Sequence, residues 1–265
     1  MKIFISADIE GVCGVTAWDE TESDKASYAR FQQQMTREVC AACEGALAGG
    51  ATEIYVRDAH HSARNLIAEE LPRQVKLVRG WSRHPYMMMQ ELDSSFVAAM
   101  MIGYHSLAGG GGNPLSHTMT SRASEISING RPVSEFLMNS QTAWLEGVPV
   151  VFLSGDEEIC GLAKELIPGI ETVAVKSGLG ASTVNLHPLS ALEQIKKGAQ
   201  KAMQGDLAAC RMPLPEKFET TITYVSHQDA YKASFYPEAR RLSSRTIGFD
   251  TDDYFEVLRL FLFNL

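Results

Sequence analysis

The sequence lacks any concentration of positive charge, which argues against nucleic acid as a partner. Its 265 residues contain 24 Lys and Arg against 32 Asp and Glu, giving a formal net charge of -8. The densest basic stretch is Ala239-Arg240-Arg241 with Arg245 nearby. Such a short stretch offers no stripe of charge to meet a row of phosphates. We therefore expect no nucleic-acid partner.

Long apolar runs and paired cysteines are missing as well. No stretch reaches the roughly 18 apolar residues of a membrane-spanning helix. The first apolar run, Lys2–Ala7, is too short for a signal peptide and is followed by a carboxylate, Asp8. The five cysteines, an odd number without a secretory signal, are typical of reduced thiols. These absences predict a cytoplasmic protein that does not bind membranes.

What the chain does contain is an alternation of short β-rich runs with helical patterns. This alternation predicts right-handed βαβ units and a three-layer α/β/α fold with a mainly parallel central sheet. Asn129-Gly130 adds a β-hairpin turn between two short strands. The predicted strands are Lys2–Ala7, Glu53–Arg57, Val75–Arg79, Phe96–Ile102, Val148–Leu153 and Thr172–Val175, and the predicted helices are Tyr28–Ala48, Glu135–Glu146, Asp156–Leu166 and Ser190–Met203.

The pattern changes after Pro213-Leu214-Pro215, which reads as a connector. We predict a catalytic α/β domain over residues 1–212 and a smaller C-terminal α+β extension over residues 213–265, packed on the same domain. The extension should contain strands at Phe218–Val225 and Thr246–Phe249. A terminal helix should follow, capped by Asp250 or Thr251.

Polar side chains collect where the predicted strands end. Asp8 and Glu10 lie two residues apart on an extended segment, so their carboxylates point the same way. Two like charges so close repel each other, and a positive group is expected between them. His60 and His105 follow two further strands, and ligands of open α/β sheets bind beyond the carboxyl ends of the strands.

His117, in the next loop, and Glu135, at the start of a helix, extend this set. Carboxylates together with imidazoles suit a divalent ion, and zinc is the first choice. The set exceeds one tetrahedral site, which suggests two metal ions about 3.5–4 Å apart that share a bridging aspartate.

These segments resemble, in the same order and at similar spacing, the DppA-type zinc D-aminopeptidases. The likeness is clear over the first two-thirds of the chain and weak over the last third. The segments that carry it are Lys2–Gly14 with its Asp-Ile-Glu-Gly core, Asp58-Ala59-His60, Gly103-Tyr104-His105, Ser116-His117-Thr118-Met119 and Asn129–Glu135, continuing through Gly147–Val150, Gly155-Asp156 and Ala174-Val175-Lys176.

The resemblance implies a dinuclear zinc site, with two Zn²⁺ per subunit and an activated water as the nucleophile. By this likeness Asp8 bridges the two ions, and the remaining ligands are Glu10, His60, His105 and Glu135. His117 matches the catalytic histidine of the family. Asn139 and Lys176 match positions that would bind the substrate.

The resemblance also implies the activity and the assembly. We expect a metal-dependent aminopeptidase that hydrolyses short peptides containing D-amino acids, in a homo-oligomer, commonly a decamer with the sites facing an inner channel. Two rivals stay open: another dinuclear hydrolase of amides or phosphoesters, and a non-catalytic protein that binds a peptide or a metal. A phosphoesterase would need cationic clamps, for which only Arg57, Arg64 and Lys176 are candidates.

Three local questions also stay open in the sequence. His61 beside His60 leaves the ligand histidine ambiguous, although the family pattern favours His60. Asp58 is placed to orient a ligand histidine through its other ring nitrogen. The glycine-rich segment 107–114 is either a flexible connector or a mobile flap that carries His117 to the substrate.

Overall fold

The computed structural model of the protein describes all residues, 1–265, as an α/β fold with two sheets. The strands are β1 (Lys2–Ala7), β2 (Glu53–Asp58), β3 (Val75–Val78), β4 (Ala98–Tyr104), β5 (Ala123–Ile128), β6 (Arg131–Pro132), β7 (Val150–Asp156), β8 (Glu171–Leu179), β9 (Ser182–Asn185), β10 (Phe218–Tyr224), β11 (Arg240–Arg241) and β12 (Thr246–Thr251). The helices are α1 (Tyr28–Ala48), α2 (Glu135–Leu145), α3 (Glu157–Leu166), α4 (Pro188–Gln204), α5 (His227–Ala233) and α6 (Tyr254–Asn264).

The first sheet has the strand order β3-β2-β1-β4-β7-β8-β9 and is parallel except for β9. The chain builds outward from β1 to β3, then returns to the other side of β1 with β4. The order therefore reverses between β1 and β4, and such a switch point opens a crevice beyond the carboxyl ends of the strands. Every residue of β4 is buried, as expected for a central strand covered on both faces.

Helices cover both faces of this sheet. Helix α1 connects β1 to β2, and α3 connects β7 to β8 in the opposite direction along the sheet. Right-handed crossovers therefore place α1 and α3 on opposite faces. Helix α4 packs along α1, and α2 contacts α3. The predicted α/β fold with a mainly parallel central sheet is confirmed.

The second sheet is antiparallel, with the order β11-β12-β10-β5-β6. Asn129 and Gly130, at φ +52° and +73°, form the predicted turn between β5 and β6. Helices α5 and α6 pack on β10 and β12. The sheet thus takes strands from both sides of the proposed boundary at residue 213, and that domain division stays a prediction.

Most predicted elements appear within a few residues of their expected ends, and α1 and β1 match at both ends. The predicted cap of the last helix is wrong. Asp250 and Thr251 belong to β12, where they pair with Glu219 and Phe218, and Asp253 caps α6 by accepting a hydrogen bond from the Phe255 N–H. No helix has the combination of length and hydrophobicity needed to cross a membrane.

Candidate metal centre

The switch point of the first sheet is where the polar strand ends meet. Strand β1 pairs with β2 on one side and with β4 on the other, with Ala7 opposite both Asp58 and Ile102. Asp8 follows β1, His60 follows β2 and His105 follows β4. Three segments far apart in sequence therefore deliver their side chains to one crevice.

Two glycines allow the ends of β1 and β4 to approach this closely. A Cβ at Gly11 would lie 1.8 Å from the carbonyl oxygen of Tyr104. A Cβ at Gly103 would lie 2.2 Å from the carbonyl oxygen of Asp8, and Gly103 has a φ of +71°. The backbone bond from Gly11 N–H to the Gly103 carbonyl, 2.8 Å, locks the two turns together. These glycines place the Asp8–Glu10 turn against the His105 turn.

Asp8 lies between two histidines and presents one oxygen to each. Its Oδ1 is 3.2 Å from His60 Nδ1, and its Oδ2 is 3.5 Å from His105 Nε2. Glu10 Oε2 lies 3.1 Å from the same His60 nitrogen, and Glu135 Oε2 lies 3.5 Å from His105 Nε2. Asp8 thus lies between two pairs of side chains, each made of one histidine and one glutamate.

His117 extends the cluster on the Glu135 side. Its ring stacks on that of His105, with centroids 4.4 Å apart and planes inclined by 12°, and its Nε2 lies 3.7 Å from Glu135 Oε1. Two groups with ligand atoms within 4.8 Å of one another can be drawn: Asp8, Glu10 and His105, and His105, His117 and Glu135. The five predicted ligands and the predicted catalytic histidine thus come together in one place.

Backbone carbonyls fix the orientation of all three histidines. His60 Nε2 contacts the Thr21 carbonyl at 2.9 Å, His105 Nδ1 the Ser106 carbonyl at 2.9 Å, and His117 Nδ1 the Leu115 carbonyl at 2.8 Å. A carbonyl can only accept, so each of these nitrogens carries the proton. The opposite nitrogen of each ring faces the carboxylates and is the nitrogen that could ligate a metal ion after losing its proton.

The prediction that Asp58 orients a ligand histidine is wrong. Its carboxylate instead accepts hydrogen bonds from the N–H groups of Asn65 and Leu66, at 2.5 and 2.7 Å, and from the Asn65 side chain at 2.8 Å. Asp58 therefore braces the loop that carries His60, and the Thr21 carbonyl orients the ring.

Burial makes the charge of this cluster costly without a cation. Asp8, Glu10, His105 and Glu135 are each at most 3% exposed. Burial would raise the pKa of Asp8, but the adjacent imidazoles of His105 and His60 outweigh it and hold the pKa well below its usual range. Burial likewise opposes the charging of His60 and His105, yet the neighbouring carboxylates raise the pKa of both well above the ordinary value.

Two buried atoms of the cluster have no hydrogen-bond partner: Glu10 Oε2 and His105 Nε2. An orphaned carboxylate oxygen and an orphaned imidazole nitrogen are costly when buried. Both are ligand atoms for zinc, whose usual donors are imidazole nitrogen and carboxylate oxygen. The donor set therefore fits a divalent metal centre.

His60, and not His61, contacts the carboxylates. His61 is exposed, has a φ of +44° and lines the cavity that opens from the centre. Its carbonyl accepts a 2.7 Å hydrogen bond from Trp81 Nε1. The contacts thus favour His60 as the ligand, as the family pattern does.

The two residues expected to bind substrate are both buried. Asn139 lies one turn after Glu135 on α2, and its Nδ2 donates to the Tyr104 hydroxyl at 2.9 Å. Lys176 is 3% exposed, and its Nζ donates to the carbonyls of Glu10 and Val15. Neither side chain lines the cavity. Their contacts suit a role in positioning the ligand-bearing segments, and substrate binding by either residue stays a prediction.

The glycine-rich segment is anchored at several points. Gly112 N–H donates to Glu158 Oε2 at 2.6 Å. Asn113 is buried, and its Nδ2 donates to the Glu10 carbonyl at 3.0 Å and to Asp156 at 3.1 Å. These contacts favour a fixed loop that holds His117 over a mobile flap.

A cavity of about 310 Å³ opens from the cluster. Its walls include residues that sequence reasoning missed, because no motif or periodicity marks them: Trp18, Thr21, Glu22, Trp81, Thr120 and Ser121. Trp18 contacts the His117 ring edge-on, with centroids 5.3 Å apart. The volume is at the small end of ligand sites and suits a short peptide better than an extended chain.

In comparisons with known proteins, the similarity to D-aminopeptidases extends over nearly the whole chain. The model of the D-aminopeptidase family, peptidase family M55, matches residues 1–263. A D-aminopeptidase of Bacillus subtilis strain 168 is 30% identical over 264 residues, covering 99% of this chain and 96% of the relative. The solved structure of the Zn-dependent D-aminopeptidase DppA from Bacillus subtilis, described as a self-compartmentalizing protease, matches with a TM-score of 0.92 and 29% identity, over 99% of this chain and 96% of that one.

Proposed function

We propose a function for this chain from one established premise: it belongs to the D-aminopeptidase family, peptidase family M55. The chain is accordingly a zinc-dependent aminopeptidase. Its specific substrates, the number of zinc ions, the role of each residue and the assembly are the proposal. Short peptides with an N-terminal D-residue are the substrates that we propose, in line with the names of its relatives.

We assign two Zn²⁺ to the cluster. His60 and Glu10 would hold one ion, His105 and Glu135 the other, and Asp8 would ligate both. The observation that carries this assignment is the position of Asp8, with one oxygen 3.2 Å from His60 Nδ1 and the other 3.5 Å from His105 Nε2. When bound, such a pair of ions activates water as a nucleophile near neutral pH and polarises the scissile carbonyl.

The residues of the chain supply the remaining steps. The carbonyls of Thr21, Ser106 and Leu115 keep each imidazole in the ligating or catalytic tautomer. His117 Nε2 faces the cavity side of the cluster, close to Glu135 Oε1. From there it can take up a proton and deliver it to the departing amine.

The lining of the cavity argues against the phosphoesterase alternative. No lysine or arginine lines it, so Arg57, Arg64 and Lys176 provide no clamp for a phosphate. Arg57 Nη1 is bound to the carbonyls of Val78 and Gly80 instead. An uncharged peptide bond beside a free amine fits these walls better than a phosphate ester does.

We further propose a homo-oligomer, as the self-compartmentalizing relative suggests, with a decamer of the 29.1 kDa chain as the specific expectation. Large apolar side chains are exposed on the C-terminal part, among them Phe235 at 72% and Phe263 at 66%. Patches of exposed apolar side chains mark sites of protein–protein contact. Light scattering on the purified protein measures the mass directly.

One paired measurement tests the proposed function. Zinc per chain is determined on the purified protein, and hydrolysis is followed for D-Ala-D-Ala, L-Ala-L-Ala and N-acetyl-D-Ala-D-Ala. We expect two zinc ions per chain, cleavage of the D-dipeptide in preference to its L-counterpart, and no cleavage of the acetylated peptide. Equal turnover of free and acetylated peptides would contradict an aminopeptidase.

A further inference from the structure

The cavity is lined by four carboxylates, and one of them takes no part in the proposed metal centre. Asp8, Glu10 and Glu135 converge on the histidines. Glu22 lines the same cavity but contacts none of them, and its side chain is 44% exposed. No lysine or arginine faces Glu22 from the cavity walls.

The one cation near Glu22 neutralises it poorly. Lys25 Nζ lies 3.8 Å from Glu22 Oε2, at i+3, and its side chain is 39% exposed. The same ammonium lies 3.7 Å from Asp24. Ion pairs of this kind are screened by water and contribute little. Glu22 therefore keeps the capacity to accept a hydrogen bond from a charged ligand.

The backbone fixes the position of Glu22 relative to the metal centre. The preceding residue, Thr21, is 1% exposed, and its carbonyl accepts the hydrogen bond from His60 Nε2. Trp18, one turn earlier, contacts the His117 ring. The segment 18–22 thus forms one wall of the cavity with an indole and a carboxylate, and both attract an ammonium group.

We propose that Glu22 accepts the α-ammonium group of the substrate, with the Trp18 indole beside it, and so selects peptides with a free N-terminus. The inference rests on the proposed aminopeptidase function and deepens it. An aminopeptidase must tell an ammonium from an acylated nitrogen. With the three inner carboxylates committed to metal ions, Glu22 is the remaining anion of the cavity. In this arrangement Glu22 binds the substrate amine, and the metal centre binds the scissile carbonyl.

The test compares Glu22→Gln with a matched control, Asp24→Asn. Both changes remove one negative charge within reach of Lys25, but Asp24 is 76% exposed and does not line the cavity. For Glu22→Gln we expect kcat/KM for D-Ala-D-Ala to fall by about 10- to 100-fold, mainly through KM, because a hydrogen bond to a charged group is lost. Asp24→Asn should change it less than about twofold, the range expected for an exposed charge.

Inhibition by N-acetyl-D-Ala-D-Ala, which has no ammonium, should be the same for the wild-type enzyme and Glu22→Gln. Equal KM values for Glu22→Gln and Asp24→Asn would overturn the inference and place the amine on the metal centre. The aminopeptidase assignment would still stand in that case, provided that the wild-type enzyme cleaves D-Ala-D-Ala. A wild-type enzyme that does not cleave D-dipeptides would instead defeat the proposed function first, and the role of Glu22 with it.

Discussion

Replacing His117 separates catalysis from metal binding at this site. The ring stacks on that of His105, 4.4 Å away, contacts Trp18 edge-on, and has the carboxylate of Glu135 3.7 Å from its Nε2. If His117 moves protons, its loss slows turnover and leaves the zinc in place. If it is a ligand, zinc is lost together with activity. We expect the first outcome.

The two effects differ in magnitude. A positioned general acid or base contributes about 10²- to 10⁴-fold, which is roughly 3–5 kcal/mol of the barrier. The lost contacts with the rings of His105 and Trp18 are worth only about 0.5–1.5 kcal/mol of folding free energy each. His117→Ala should therefore lower kcat by at least about 100-fold, while the free energy of unfolding falls by no more than about 3 kcal/mol.

The assay combines steady-state kinetics on D-Ala-D-Ala, zinc per chain and thermal unfolding. His227→Ala is the control, because His227 is an exposed residue at the start of α5, and neither the cavity nor the metal cluster includes it. His117→Gln keeps a hydrogen-bond donor but cannot move a proton, so it should be nearly as slow as the alanine variant. Zinc content that falls in step with kcat would refute the reasoning, as would a kcat close to that of the wild type.

Two further changes test the support of the site. Gly103→Ala forces a Cβ to within 2.2 Å of the Asp8 carbonyl, so we expect the variant to lose more than about 2 kcal/mol of stability and to bind less zinc. The control, Gly180→Ala, has a similar φ of +58° but lies in open space, and it should lose only the backbone strain of about 1–2 kcal/mol. Denaturant unfolding and zinc analysis measure both variants. Burial raises the pKa of Glu38 to about 7, above its unfolded value, so its contribution to stability is full below about pH 4.5 and is lost as the pH rises to about 7. Glu38→Gln should thus gain of order 3 kcal/mol relative to the wild type between pH 4.5 and pH 8, and parallel stability–pH curves for the two proteins would contradict this.

Much of the candidate centre could be predicted from the sequence because several of its proposed ligands come shortly after strands. Asp8 and His105 each follow an apolar run that can only be an inner strand, and parallel strands bring their carboxyl ends to one edge. The spacing of Asp8 and Glu10 further indicated two carboxylates on one side. The role of each residue came from the family resemblance, since spacing alone does not tell a ligand from a cap.

The missed features depend on backbone atoms and on loops without a pattern. The group that orients His60 is the carbonyl of Thr21, and any residue type offers a carbonyl. Trp18 and Trp81 line one cavity although they are 63 positions apart in the sequence, and neither lies on a periodic element. The sequence predicts the cap of α6 too early because Asp250 and Thr251 are residue types typical of caps, whereas in the structure they pair with β10.

The buried carboxylate of Asp156, outside the metal cluster, connects several of the segments that form the candidate centre. Asp156, at the end of β7, caps α3 by accepting from Ile159 N–H at 2.9 Å, and it also accepts from the Ser106 N–H and hydroxyl, both at 2.7 Å. Its third partner, Asn113, donates to the Glu10 carbonyl as well. Ser106 provides the carbonyl that fixes His105, so a single side chain positions segments from both proposed zinc sites. Because Asp156 is the last residue of β7, these hydrogen bonds connect the segments of the candidate centre directly to the central sheet.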